Sequence, residues 1–229
     1  FRHVKTVIFN IHDQSARLDT MNCCLFDVAS VLSGGFEMGN VWYNEPKTLD
    51  TAFDVMGDII LSTAAQQYGG FTVPEVDKIL APYAQKSYDR YIQEFMKYSD
   101  ESWSGREEKA IEYALDKVRR DYDQGWQGIE YKLNTVGSSR GDYPFVTVTL
   151  GLGTEQFEKM CSISLLQVHQ GGQAERQKET GSFPKIVFLY DENIHGKGKC
   201  CEDVFEVGVD CSAKTMYPDW LSMSGKGYI

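Results

Sequence analysis

The chain has no apolar run approaching the ~20 residues needed to cross a bilayer, and no leader-like segment precedes its first strand-like stretch. It has no Cys-x-x-Cys pair, which leaves a tetrahedral zinc site without its usual spacing. It is short of basic residues: 23 Lys and Arg against 33 Asp and Glu give a net charge of -10. That balance argues against nonspecific nucleic-acid binding, which needs cations to displace counterions from phosphates. It leaves room for a local basic pocket and suits a soluble, cytoplasmic protein. The Lys of a P-loop and the third glycine of a dinucleotide fingerprint are both missing. No Ser/His/Asp order, glycosidase pair of carboxylates, metal triad, internal repeat or low-complexity tract stands out.

What is present is 229 residues of ordinary globular composition, enough to bury a sizeable core. Six cysteines stand at 23, 24, 161, 200, 201 and 211. The two adjacent pairs are poor disulfide partners because bridge geometry strains neighbours, so free thiols in a reducing compartment are expected. The sequence opens at Phe1 without a methionine and stops at Ile229 with no closing element, and so reads as an excised piece.

Val7, Phe9 and Ile11 alternate with Ile8, Asn10 and His12 at the period of a strand. Leu25, Val28, Ala29 and Leu32 fall at helical spacing, and Gly34-Gly35 end that segment. The strongest helix runs over 49–67, with Thr48 as its N-cap, Asp50 in its first turn and Gly69-Gly70 as its stop. A second starts near Pro74 and carries Val76, Ile79, Leu80, Tyr83, Tyr91, Ile92 and Phe95, with Pro82 expected to bend or split it. A third spans about 107–133, weakened in its second half by Gly125 and Gly128. A strand over 144–151, a helix from Thr154 to about Gln170, a strand over 186–190, a helix over about 201–213 and a short strand at 215–217 complete the reading. Strands separated by helices imply crossovers and a parallel sheet. Four strands cannot close a barrel, so the expectation is one α/β unit, incomplete, with no domain linker.

The chemistry-bearing residues are few. His12, at a strand end, and the thiols of Asn22-Cys23-Cys24 could meet at one rim of such a sheet, where reactive groups gather. A cysteine beside Leu25 and Phe26 is equally a small core hydrophobe. Gly151, Gly153 and Thr154 follow a strand and open a helix, which could aim amide groups at a phosphate or simply form a tight turn. Trp42, Tyr43, Glu45 and Lys47 lie in a loop before the best helix, able to hold a base or a partner, or to staple the helix start. His3, His169 and His195 sit in polar contexts and are expected to be solvated.

Taken together, a series of short motifs resembles one family. Ile11-His12-Asp13, Asn22-Cys23, Gly34-Gly35-Phe36-Glu37-Met38-Gly39-Asn40, Glu45-Pro46-Lys47, Tyr68-Gly69-Gly70 and Leu80-Ala81-Pro82-Tyr83 occur in that order. Asn134-Thr135, Pro144-Phe145-Val146-Thr147, Gly151-Leu152-Gly153-Thr154, Phe183-Pro184-Lys185, Cys211-Ser212-Ala213-Lys214 and Met216-Tyr217-Pro218-Asp219 continue it. The series is similar to the anaerobic, class III ribonucleoside-triphosphate reductases, which are glycyl radical enzymes. The resemblance implies a ten-stranded α/β barrel of two parallel five-stranded halves, of which this chain is the first, mainly parallel half. It implies reduction of ribonucleoside triphosphates to deoxyribonucleotides, with Cys23 as the second active-site thiol and Cys24 as its alternative. His12 and Asn22 are implied to hold ribose or phosphate, Gly151, Gly153 and Thr154 to hold phosphate, and Glu45 and Lys47, with the helices over 49–67 and 75–97, to serve deoxynucleotide effectors and a homodimer interface.

The same resemblance implies ATP and deoxynucleoside triphosphate effectors, a radical-SAM iron–sulfur activase as partner, and a structural zinc and a glycyl radical in the full-length enzyme. The Met-Gly-Cys-Arg stretch expected for the thiyl cysteine, the radical glycine motif, the zinc cysteines and the N-terminal ATP cone do not occur here, and Thr215 replaces an expected basic residue. The fragment alone is therefore expected to be inactive. Two alternatives stand beside this reading: a noncatalytic nucleotide-binding or dimerisation module of the same ancestry, and a glycyl radical enzyme acting on a carbon–carbon bond.

Overall fold

Apolar residues at helical spacing alternate along the chain with short β-branched and aromatic runs, and each run becomes a strand that the next helix covers. The computed structural model describes residues 11–12, 23–67, 69–100, 102–135, 137, 143–171 and 182–224. In chain order the elements are β1 (Ile11–His12), β2 (Cys23–Leu25), α1 (Val28–Leu32), β3 (Phe36–Met38), β4 (Val41–Tyr43), α2 (Leu49–Ala64), β5 (Phe71–Val73) and α3 (Val76–Tyr98). They continue with α4 (Arg106–Thr135), β6 (Val146–Leu150), α5 (Gln156–Gly171), β7 (Lys185–Tyr190), α6 (Glu192–His195), α7 (Glu202–Thr215) and β8 (Asp219–Ser222).

The main sheet has the order β1-β2-β5-β6-β7-β8. β2, β5, β6, β7 and β8 are mutually parallel, and β1 alone is antiparallel, against β2. Five parallel strands in chain order, joined by crossovers that contain helices, make an α/β sheet. The sequence pattern had shown only four strands. β2 and β5 are three residues each, too short for a period, and β5 lies where only a helix stop was legible.

Helix α2 buries Leu49, Ala52, Phe53, Met56, Ile59 and Ile60, the stripe its spacing requires. Thr48 supplies no side-chain cap. The Leu49 amide donates instead to Ser87 Oγ on α3, at 2.8 Å, so a neighbouring helix satisfies an orphan donor. Helix α3 continues through Pro82 rather than splitting. A proline removes one N–H, and the packing of α3 outweighs that loss: Tyr88 meets Phe157 of α5 at 5.5 Å, and the Tyr91 hydroxyl donates to Asp121 of α4 at 2.8 Å.

Helix α4 likewise runs unbroken through Gly125 and Gly128. Its inward stripe is Ala110, Ala114, Val118, Tyr122, Trp126, Ile129 and Leu133, with Ile111 left exposed. The expected strand at 215–217 is instead the end of α7. Thr215 Oγ1 donates back to the Cys211 carbonyl at 3.0 Å and Met216 takes a left-handed cap, so the strand starts only at Asp219. The stretch over 40–47 is not wholly a loop: β3 and β4 form an antiparallel hairpin, with Phe36 stacked on Tyr43 at 5.0 Å.

Candidate active-site face

Residues paired across parallel strands share a face, and successive residues alternate. Cys24, Phe71 and Val146 form one row, and all are buried. Leu25, Thr72, Thr147 and Lys185 form the next row, on the opposite face. None of these four is buried, and Leu25 is 45 % exposed. The sheet therefore has one face closed by packing and one open face lined by an exposed leucine, two threonines and a lysine.

Strand alternation separates the two adjacent thiols. Cys24 is 4 % exposed and donates to Gln67 Oε1 at 3.2 Å, itself a buried group. Burial pushes the Cys24 thiol up from its usual range, against the pull of that hydrogen bond. Cys23, two residues before Leu25, shares the open face and is half-buried. Its Sγ accepts a hydrogen bond from the Gly70 amide at 3.2 Å. Gly70 was legible only as part of a helix stop and of the Tyr68-Gly69-Gly70 motif, and its amide is what fixes the thiol.

An aromatic pair stands beside Gly70, the donor to this thiol. A side chain at Gly70 would meet the Phe145 ring at 3.1 Å. Phe145 packs edge-on against Phe183 at 5.3 Å, and Lys185 Nζ lies 4.8 Å over the Phe145 ring. Asn134, at the end of α4, clamps the Phe183 backbone from both sides: its Nδ2 donates to the carbonyl at 2.6 Å and its Oδ1 accepts from the amide at 3.1 Å. The Asn134 and Phe183-Pro184-Lys185 motifs, far apart in sequence, thus act on one another.

His12 is the register partner of Cys23 across the β1–β2 pair, and Ile11 that of Cys24. The expected meeting of histidine and thiol positions is realised in the backbone. Asn22 lies outside the described residues, as does His3.

Gly151, Gly153 and Thr154 are at the other end of the strands. Gly151 lies six residues beyond Phe145, or roughly 20 Å along the strand direction at ~3.3 Å per residue. Their amides are already engaged by the chain's own carboxylates. Gly151 and Gly153 both donate to Asp77 Oδ2, at 3.0 and 3.1 Å, and the amides of Thr154 and Glu155 donate to Glu158 Oε2, at 2.8 and 2.9 Å. The loop does make an anion cradle, as its position before a helix suggested, but Asp77 and Glu158 fill it, and it does not join Cys23. Burial pushes the fully buried Asp77 carboxyl up, opposed by those amides and by Ser162.

His195 closes this end. It is 2 % exposed rather than solvated, with Nε2 on the Gly151 carbonyl at 2.8 Å and Nδ1 accepting from the Asp191 amide at 3.0 Å. Nδ1 also lies 3.1 Å from the Asp191 carbonyl oxygen, and burial draws the imidazole pKa down. His169, also expected to be solvated, is buried with Nδ1 2.9 Å from Glu130 Oε1. Its polar sequence neighbours hid the fact that Cys161, Leu165, Leu166 and His169 form the inward face of α5.

Glu45 and Lys47 follow the β3–β4 hairpin. Glu45 Oε1 pairs with Lys86 of α3 at 2.5 Å and Oε2 accepts from the Gly34 amide at 3.4 Å, so Lys86 holds the Glu45 carboxyl below its usual range. Lys47 is exposed. Among the described residues no group of three or more His, Cys, Asp or Glu side chains could hold a metal, and no helix is long and apolar enough to cross a membrane.

Comparison with known proteins places this geometry. Residues 2–228 match the family described as anaerobic ribonucleoside-triphosphate reductase. The chain is 35 % identical over 218 residues to the anaerobic ribonucleoside-triphosphate reductase of Enterobacteria phage T4, covering 94 % of this chain and 35 % of that protein. It is 33 % identical over 211 residues to that of Escherichia coli K12, covering 92 % and 28 %. The chain thus spans about a third of the length of the curated relatives it matches. In fold it is similar to the anaerobic ribonucleotide reductase from Thermotoga maritima in complex with dATP and CTP, with a TM-score of 0.64, 13 % identity, and coverage of 95 % of this chain and 35 % of that one.

Proposed function

The chain belongs to the anaerobic ribonucleoside-triphosphate reductase family, and from that premise we propose that it forms the substrate-side half of the catalytic barrel of such an enzyme. The whole enzyme reduces ribonucleoside triphosphates to deoxyribonucleoside triphosphates in the cytoplasm, for DNA precursor synthesis. The five parallel strands are one half of a ten-stranded barrel, and their open face is its interior. The observation that carries the reading is the division of the thiols: of two adjacent cysteines, strand alternation buries Cys24 and sets Cys23 on the open face beside His12 in register.

The family's glycyl radical and thiyl cysteine supply removal of the ribose 3′ hydrogen, and neither motif occurs in this sequence. Cys23 is the reduced thiol on the ribose face. It donates one hydrogen atom to the sugar from which the 2′ hydroxyl has left as water. The sulfur radical left on Cys23 either takes a hydrogen atom back from formate, which gives its second electron to the sugar as it becomes carbon dioxide, or bonds to a second thiolate, and the resulting disulfide passes that electron on. The Gly70 amide holds Sγ in one orientation, which is what hydrogen transfer over contact distance requires. Phe145, beside Gly70, and Phe183 packed on it are the apolar groups on the side of the thiol's amide donor. His12 and Asn22 hold the ribose or phosphate.

The cradle of Gly151, Gly153 and Thr154 takes no part in phosphate binding unless Asp77 and Glu158 are displaced, so its role is to fix the sheet's far end. Lys47 is the cation available to a dNTP effector, Glu45 being committed to Lys86. The homodimer, the iron–sulfur activase, the zinc and the ATP cone belong to the complete enzyme in this reading. In full-length protein, Cys23→Ala is expected to retain the glycyl radical signal and to form no deoxynucleotide. Turnover at the wild-type rate in that variant removes Cys23 from the reaction.

A further inference from the structure

The chain holds two adjacent cysteine pairs, and the fold treats them in opposite ways. Cys23 and Cys24 lie in a strand, so their side chains diverge to opposite faces. Cys200 and Cys201 lie where a turn enters α7, with Cys201 as its N-cap, and there the two Sγ atoms converge to 3.7 Å. From this convergence we infer that Cys200 and Cys201 form a two-sulfur binding site for a trivalent thiophilic metalloid centre, of the kind carried by an organoarsenic(III) compound.

The separation is what selects this class. Two ~2.3 Å bonds from one soft central atom, at a tetrahedral angle, hold their sulfurs ~3.75 Å apart. A pyramidal trivalent centre needs them only slightly closer. A disulfide needs an S–S distance of ~2.05 Å and strains the intervening peptide, so the pair would have to close much further. Structural zinc takes four ligands, and the described residues offer no group of three. A centre satisfied by two protein sulfurs is the one that fits.

The site is also built in advance. The Cys201 amide donates to the Ile194 carbonyl at 2.9 Å, and Lys159 Nζ donates to the Cys200 carbonyl at 2.7 Å while pairing with Asp203 at 2.9 Å. Both backbones are therefore pinned from α5 and α6. Cys200 is exposed and gives access, whereas Cys201 is fully buried and its Sγ donates to the Gly153 carbonyl at 3.5 Å. Burial, with Cys200 beside it, pushes the Cys201 thiol up to about 12. A protonated thiol suffices for this chemistry. An arsenic(III) dihydroxide loses both As–O bonds and gains two As–S bonds, each thiol proton leaves with a hydroxide as water, and arsenic stays trivalent.

The test uses reduced full-length protein treated with phenylarsine oxide, digested, and mapped by mass spectrometry. The peptide containing Cys200 and Cys201 is expected to carry one bridging adduct that resists excess monothiol and is stripped by a 1,2-dithiol. Cys200→Ser changes an exposed side chain and should lose the adduct. Cys211→Ser, in the same tryptic peptide, should keep it. An adduct that survives Cys200→Ser, or that forms only after denaturation, overturns the inference.

Discussion

Two glycines three residues apart in α4 should respond to the same substitution with opposite signs. Gly125→Ala places a methyl carbon 2.2 Å from Phe53 Cδ2 and 2.4 Å from Cε2, whereas Gly128→Ala meets nothing within 4 Å. Carbon atoms pack at ~3.5 Å or more, so at Gly125 something must yield by about 1.3 Å. The Phe53 ring has little freedom to do so, because it stands edge-on to Trp126 at 5.0 Å and to Tyr122 at 6.2 Å, and both of those are fully buried. In a helix, alanine is favoured over glycine by about 1 kcal/mol. Gly128→Ala collects that gain. Gly125→Ala collects it too, but suffers overpacking of about 1–3 kcal/mol, and the depth of the clash puts the cost toward the upper end. The net expectation is about 1–2 kcal/mol of destabilisation at Gly125, or roughly a 5–30-fold change in the local opening equilibrium. Native-state hydrogen exchange of the α4 amides reads this directly. Protection should rise for Gly128→Ala and fall for Gly125→Ala, and equal signs for the two would refute the argument from close approach.

Cys24→Ala is expected to leave deoxynucleotide formation intact while destabilising the protein by about 1–3 kcal/mol, since it strands the buried Gln67 Oε1 without its donor. Activity assays and denaturant midpoints on that variant and on Cys23→Ala should show opposite patterns. His195 should make stability fall as the pH drops below 6.5, because the unfolded chain takes up a proton there that the folded imidazole, its pKa lowered, resists. His195→Gln keeps a donor for the Gly151 carbonyl and is expected to flatten that part of the stability–pH profile. A slope unchanged by the substitution would assign the pH dependence to other groups.

The long elements were legible because their signals are local. The stripe of α2, the inward positions Val118, Tyr122 and Leu133 of α4, and the apolar runs of β6 and β7 state their own periods. The short elements were not. β2 and β5 have no room for a period, and their strand character comes from hydrogen bonds to partners dozens of residues away, such as Phe26 N to Thr72 O at 2.9 Å. The site was partly legible for the same reason. Cys23 was reached through the Asn22-Cys23 motif, but its position relative to Cys24 depends on which face of β2 is covered.

The sequence by itself determined an alternation of strands and helices, an acidic surface, free thiols and membership of one reductase family, since each follows from composition, spacing or ordered motifs. Only the tertiary structure decided which thiol is open and which is sealed, that Asp77 and Glu158 occupy the amides after β6, that His169 and His195 are buried, and that Cys200 and Cys201 converge while Cys23 and Cys24 diverge. The physical reason is that burial and hydrogen-bond partnership belong to pairs of segments, and their pairing is set by sheet register and helix packing rather than by neighbouring residues.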